Sequence, residues 1–110
     1  MNDEENETIQ TLPNSWQEIQ PDTVYQTTDG RLVSFGKEQI QLGITYDQNG
    51  KHLKAIEKGR VSPKGNNGLV PSQEAGYDLK SKVLGKGGDY RFHGRIIDGV
   101  LHFPGKITDH

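Results

Sequence analysis

Apolar residues in this chain come in short alternating runs bracketed by glycine-containing turns, a spacing that predicts strands rather than long helices. The clearest case is residues 89–107. One alternating run, 89–97, meets Asp98-Gly99 and returns as 100–107. Asp-Gly between alternating strands predicts a two-residue type I′ hairpin loop, because both loop positions need positive φ. That loop sets Ile97 opposite Val100, Arg95 opposite His102, His93 opposite Pro104 and Arg91 opposite Lys106. Side chains alternate faces along a strand. Tyr90, Phe92, Ile96, Leu101, Phe103 and Ile107 therefore form one apolar face, and Arg91, His93, Arg95, His102 and Lys106 form the other.

The remaining runs are read the same way. Residues 23–28 and 31–35 flank Asp29-Gly30 as a second hairpin. Residues 39–46 alternate Ile40, Leu42, Ile44 and Tyr46, which predicts a half-buried strand, and 47–50 is a turn. Residues 51–59 are ambiguous. Leu53 and Ile56 before Gly59 fit a short helix, whereas the preceding Asn49-Gly50 fits a returning strand, and the strand is preferred. Residues 60–76 hold Pro63, Pro71 and few apolar side chains, so they form a long loop, a feature usually functional or mobile in a compact domain. Residues 77–84 alternate again, with Tyr77, Leu79 and Val83 inward and Asp78, Lys80 and Lys82 outward. Gly85-Lys86-Gly87-Gly88 then leads into the closing hairpin, which places three antiparallel strands side by side. Residues 13–19 predict one helical turn capped by Asn14 or Ser15 and anchored by Trp16. The expected fold is α+β and β-rich: a twisted antiparallel sheet of about four to six strands with at most one or two short helices.

Composition supports this picture. Of 110 residues only 30% are hydrophobic and 14 are glycine, which suits a loop-rich β domain. The absence of cysteine excludes disulfides and thiolate metal sites. No run approaches the length of a membrane span, so no membrane partner is expected. Charge divides the chain. Residues 1–30 carry seven acids (Asp3, Glu4, Glu5, Glu7, Glu18, Asp22, Asp29) and no Lys or Arg, whereas residues 31–110 carry all 13 basic residues against eight acids. Residues 1–11 read as a disordered acidic arm, a solubilising tail in the first instance, and 12–110 as a single compact β-rich domain.

The cationic face of residues 89–107 changes the functional picture. With Lys80 and Lys82 from the neighbouring strand it holds five Lys/Arg and two His, a surface suited to phosphate. Metal-independent RNA cleavage needs a base for the 2′-OH proton, an acid for the leaving 5′-oxygen, and cations for the charge on phosphorus. His93 and His102 lie diagonally across the hairpin, about 7 Å apart by general sheet geometry. They are the catalytic candidates, with His52 and His110 as further acid–base groups and Arg91, Arg95, Lys80, Lys82 and Lys106 as substrate-binding residues. No metal or other cofactor is implied, since the histidines lack the ligand spacing of zinc sets.

Residues 81–110 also resemble the catalytic end of the small microbial ribonucleases of the barnase type, a fold shared by toxin domains at the C-termini of bacterial polymorphic and contact-dependent systems. Arg91 and Arg95 have the four-residue separation of the family's arginines, and Thr108-Asp109-His110 matches its closing Thr-Asp-His. The resemblance implies phosphate binding by Arg91 and Arg95 and an acid role for His110. Ser81 stands where the family has its glutamate base, so a histidine or Asp78 would have to serve instead. The expected function is a toxin-like endoribonuclease with RNA, transfer RNA included, as substrate and an acidic immunity protein as inhibitor. The alternatives are a non-enzymatic nucleic-acid-binding β-domain using the same face, and a protein-interaction module using the 60–76 loop.

Overall fold

The computed structural model describes residues 9–47, 50–57, 69–82 and 90–109. Seven strands form one mixed sheet: β1 (Gln10–Thr11), β2 (Tyr25–Gln26), β3 (Leu32–Phe35), β4 (Leu69–Pro71), β5 (Leu79–Lys82), β6 (Tyr90–Ile97) and β7 (Val100–Asp109). Their order is β1-β2-β3-β7-β6-β5-β4. Two pairings, β1 with β2 and β3 with β7, are parallel, and the others are antiparallel. Two helices, α1 (Lys37–Tyr46) and α2 (Lys51–Glu57), and one 3₁₀ turn, Trp16–Glu18, complete the described architecture.

The α+β, β-rich class agrees with expectation, but the sheet is mixed and has more strands than expected. The parallel pairing of β3 with β7 is reached through a long crossover that includes α1, α2 and β4 to β6. Gln10–Thr11, assigned to the acidic arm by composition, pair with β2 as the sheet's first strand.

Both segments 39–46 and 51–57 are helical, correcting the strand readings. Along 39–46 the buried positions are Gln39, Ile40 and Gly43, a helical spacing, whereas the alternating Leu42, Ile44 and Tyr46 lie only partly buried at the core margin. Gly43 is why the helix docks. A Cβ there would sit 2.2 Å from the indole of Trp16, so only glycine lets α1 lie against that ring. In α2 the carboxylate of Asp47 accepts the backbone N–H groups of Lys51 and His52 and the indole N–H of Trp16, satisfying amides that a helix start leaves orphaned.

The core lies between these helices and one sheet face. Phe35 and Phe103 stack with ring centroids 5.6 Å apart, Trp16 meets Phe35 edge-on at 5.5 Å, and Val33, Leu53, Ile56, Phe92 and Leu101 fill the space around them. Trp16 is buried and anchors its turn, as its position in the sequence predicts.

The two hairpins differ in their loops. Asp98 and Gly99 both have positive φ (52° and 82°), and Ile97 pairs with Val100, as a type I′ loop requires. The loop after β2 is longer, residues 27–31: the Thr27 N–H donates to the Arg31 carbonyl, the Thr27 carbonyl accepts the Gly30 N–H, and Gly30 takes the left-handed position at φ 93°.

Candidate functional site

The sheet face opposite α1 and α2 carries the polar side chains of β5, β6 and β7. Arg95 pairs with His102 as the loop register predicts, but beyond them the ladder shifts. His93 pairs with Lys106 and Arg91 with Thr108, correcting the expected partners Pro104 and Lys106. The cause is local. Pro104 has no N–H to continue the ladder, and Gly105 at φ 124° absorbs the resulting bulge. The shift is by two residues, so the alternation of faces survives.

Lys80 of β5 pairs with His93, so Lys80, His93 and Lys106 form one row across three strands. Arg95 and His102 lie in the next row towards the hairpin tip, and Lys82, Arg91 and Thr108 in the next row the other way. Arg95 is exposed, and Lys80, Arg91, His102 and Lys106 are half-buried. Most of the candidate residues are thus brought together.

His52 is not among them. It is fully buried on the opposite, helix-covered side, stacked on Trp16 (5.3 Å) and packed against Phe92 (4.4 Å) and Phe103 (5.6 Å). Burial pushes its pKa down to about 3, so it is a neutral core side chain at ordinary pH. Ser81, at the position of the barnase-type glutamate, also faces the core and is fully buried. His110 lies outside the described residues.

The turn from β4 to β5 alters the face most. Residues 72–78 fold across it as a strap. The Ser72 hydroxyl lies 2.8 Å from His93 Nδ1, and the Thr108 hydroxyl lies 2.8 Å from Nε2. The Glu74 carboxylate is paired with Lys106 at 3.3 Å. The ring of Tyr77 stands 5.9 Å from His93, with the Arg95 guanidinium 4.9 Å from its centroid. Asp78 accepts the backbone N–H of Ile96 at 2.7 Å.

Two expectations are corrected here. Tyr77 faces the cationic surface rather than the core, because the strap turns before β5 begins. Asp78 points outward as expected, and Glu74 adds a second acid to the face. Ile96, expected on the core face, is 48% exposed with Ile97, because the hairpin tip projects beyond the helices.

His93 itself is 2% exposed. Ser72, Glu74 and Thr108 were not read from the sequence as site residues. Thr108 shares period-two alternation with Lys106, and Pro104-Gly105 is a bulge signal that would have placed both. Ser72 and Glu74 sit in a segment whose path only the folded sheet defines. Among the described residues no three His, Asp or Glu side chains converge as a metal-ligand set, and no helix is long and apolar enough to cross a membrane. Comparison with family models, with curated proteins and with solved structures finds no match for this chain.

Proposed function

We propose that this protein is a metal-independent endoribonuclease whose working surface is the strap-covered face of β5, β6 and β7. The observation that carries the reading is the row Lys80, His93, Lys106, an imidazole flanked across both neighbouring strands by cations and contacted by two hydroxyls. Such a row suits a phosphodiester. The lysines, with Arg91 and Arg95, offset the charge that builds on phosphorus, and Arg groups can bind its oxygens bidentately.

In the proposed reaction His102 takes the proton of the ribose 2′-OH. That oxygen attacks phosphorus, the bond to the 5′-oxygen breaks, and His93 delivers a proton to the leaving oxygen. The products end in 2′,3′-cyclic phosphate and 5′-OH. The likeness of residues 81–110 to barnase-type ribonucleases supports the same class, and adds RNA, an acidic inhibitor and a toxin role to the proposal.

The test is direct. Incubating the protein with total or transfer RNA in excess EDTA yields cyclic-phosphate ends, and His93→Ala and His102→Ala each lower the rate by about 10²–10⁴-fold. Loss of cleavage in His110→Ala alone, with both hairpin histidines dispensable, would instead assign the acid to the chain terminus.

A second reading, non-enzymatic binding of single-stranded RNA, is favoured by one observation: both His93 nitrogens are engaged and the ring is covered. Salt-sensitive binding without cleavage would select it.

A further inference from the structure

We infer that Ser72 is a positioning residue, which holds neutral His93 with its proton on Nε2 and fixes the ring so that Nε2 faces Thr108. The inference rests on hydrogen-bond accounting at the strap. Ser72 Oγ accepts the backbone N–H of Glu74 at 3.1 Å and lies 2.8 Å from His93 Nδ1. A hydroxyl has one proton and two lone pairs. With one lone pair taken by the Glu74 amide, its proton is polarised and aimed at Nδ1, because hydrogen bonds in a chain strengthen one another. Nδ1 is then the acceptor. A neutral imidazole carries a single N–H, so the proton belongs to Nε2, which donates to Thr108 Oγ1 at 2.8 Å.

The polarity runs in one direction, from the Glu74 amide through Ser72 and His93 to Thr108. It ends on β7, in the half of the face that also holds Lys106. The opposite polarity would make Ser72 accept twice and leave its own proton pointing into a part-buried strap.

The chemical consequence depends on the proposed ribonuclease activity. As the acid His93 is an imidazolium: the neutral ring takes its second proton at Nδ1, with the Ser72 hydroxyl turning to accept it, and then gives the Nε2 proton to the leaving oxygen, which enters where the Thr108 hydroxyl now sits. Ser72 touches no substrate atom in this scheme. It acts through His93, as the partner on the far nitrogen of a catalytic histidine does in other acid–base sites.

The experiment separates this assignment from the activity. Nitrogen-15 spectra of the full chain, recorded above the titration range of histidine, read the tautomer of His93 without any RNA. The expected result is a protonated Nε2 and an unprotonated Nδ1 in the native protein. Ser72→Ala should give a mixed or reversed tautomer, and Ser72→Thr, which keeps the hydroxyl, should restore the native pattern. A native Nδ1–H tautomer, or populations unchanged in Ser72→Ala, overturns the inference. In the cleavage assay Ser72→Ala should lower kcat about 100-fold with little change in KM, and Ser72→Thr should recover most of it. If the tautomer behaves as stated and no RNA is cut, the positioning role stands and the ribonuclease reading falls.

Discussion

His52 shows how far a single residue's environment can depart from water. It is buried in an aromatic cage of Trp16, Phe92 and Phe103, and neither ring nitrogen has a partner among the described residues. Its pKa is lowered from 6.5 to about 3 by burial. The folded state therefore excludes a proton that the unfolded chain binds between those values, and stability is fully present above pH 6.5 and lost as pH falls towards 3. Between pH 7 and pH 4 this one group should remove about 3 kcal/mol. Urea unfolding of His52→Phe should show that much less acid loss than the native chain. A second residue-scale expectation concerns Gly43. A methyl group there meets the Trp16 indole at 2.2 Å, so Gly43→Ala should destabilise by about 1–3 kcal/mol, measured by the same unfolding curves.

At the scale of elements, the strap lies over His93 and Lys106 of the proposed site. Its hold on the cationic face includes a half-exposed ion pair, Glu74 with Lys106, a class of contact that contributes about 0–1 kcal/mol. A phosphate arriving at Lys106 competes with the Glu74 carboxylate for the same ammonium. Glu74→Gln removes the competing charge, so it should tighten binding of single-stranded RNA about two- to fivefold at low salt, with the gain fading as salt rises. Unchanged affinity in a binding titration would mean that Glu74 does not guard the face. The elements themselves were unevenly legible. The closing hairpin could be read because Asp98-Gly99 specifies its loop locally. Helix α1 could not, because its residues alternate like a strand and the decisive contact, Gly43 on Trp16, joins segments far apart in the chain.

At the scale of the whole molecule, the sheet separates two environments. One face is closed by α1, α2 and Trp16 and holds the aromatic core; the other carries Lys80, Arg91, His93, Arg95, His102 and Lys106, with the strap seated on His93 and Lys106. If that second face binds RNA through phosphates, affinity must fall with salt in proportion to the cations engaged. Replacing Lys80 and Arg91 by Ala should reduce the slope of log K against log salt by about 0.7 per residue, without changing sequence preference. A slope unchanged in the double variant would place the nucleic acid elsewhere.

Local chemistry written into the sequence determined the type I′ loop, the pairing of Arg95 with His102, the burial of Trp16 and the gathering of cations on β5–β7. The burial of Trp16 follows from its large apolar side chain, and the others from period-two alternation or from a turn whose φ values only certain residues adopt. Tertiary structure alone decided the rest. It made helices of 37–46 and 51–57, put His52 in the core instead of the site, and laid Ser72, Glu74 and Tyr77 over His93. Those outcomes turn on contacts between residues distant in sequence, where packing against Trp16 or across the sheet outweighs local propensity by more than a one-dimensional pattern can express.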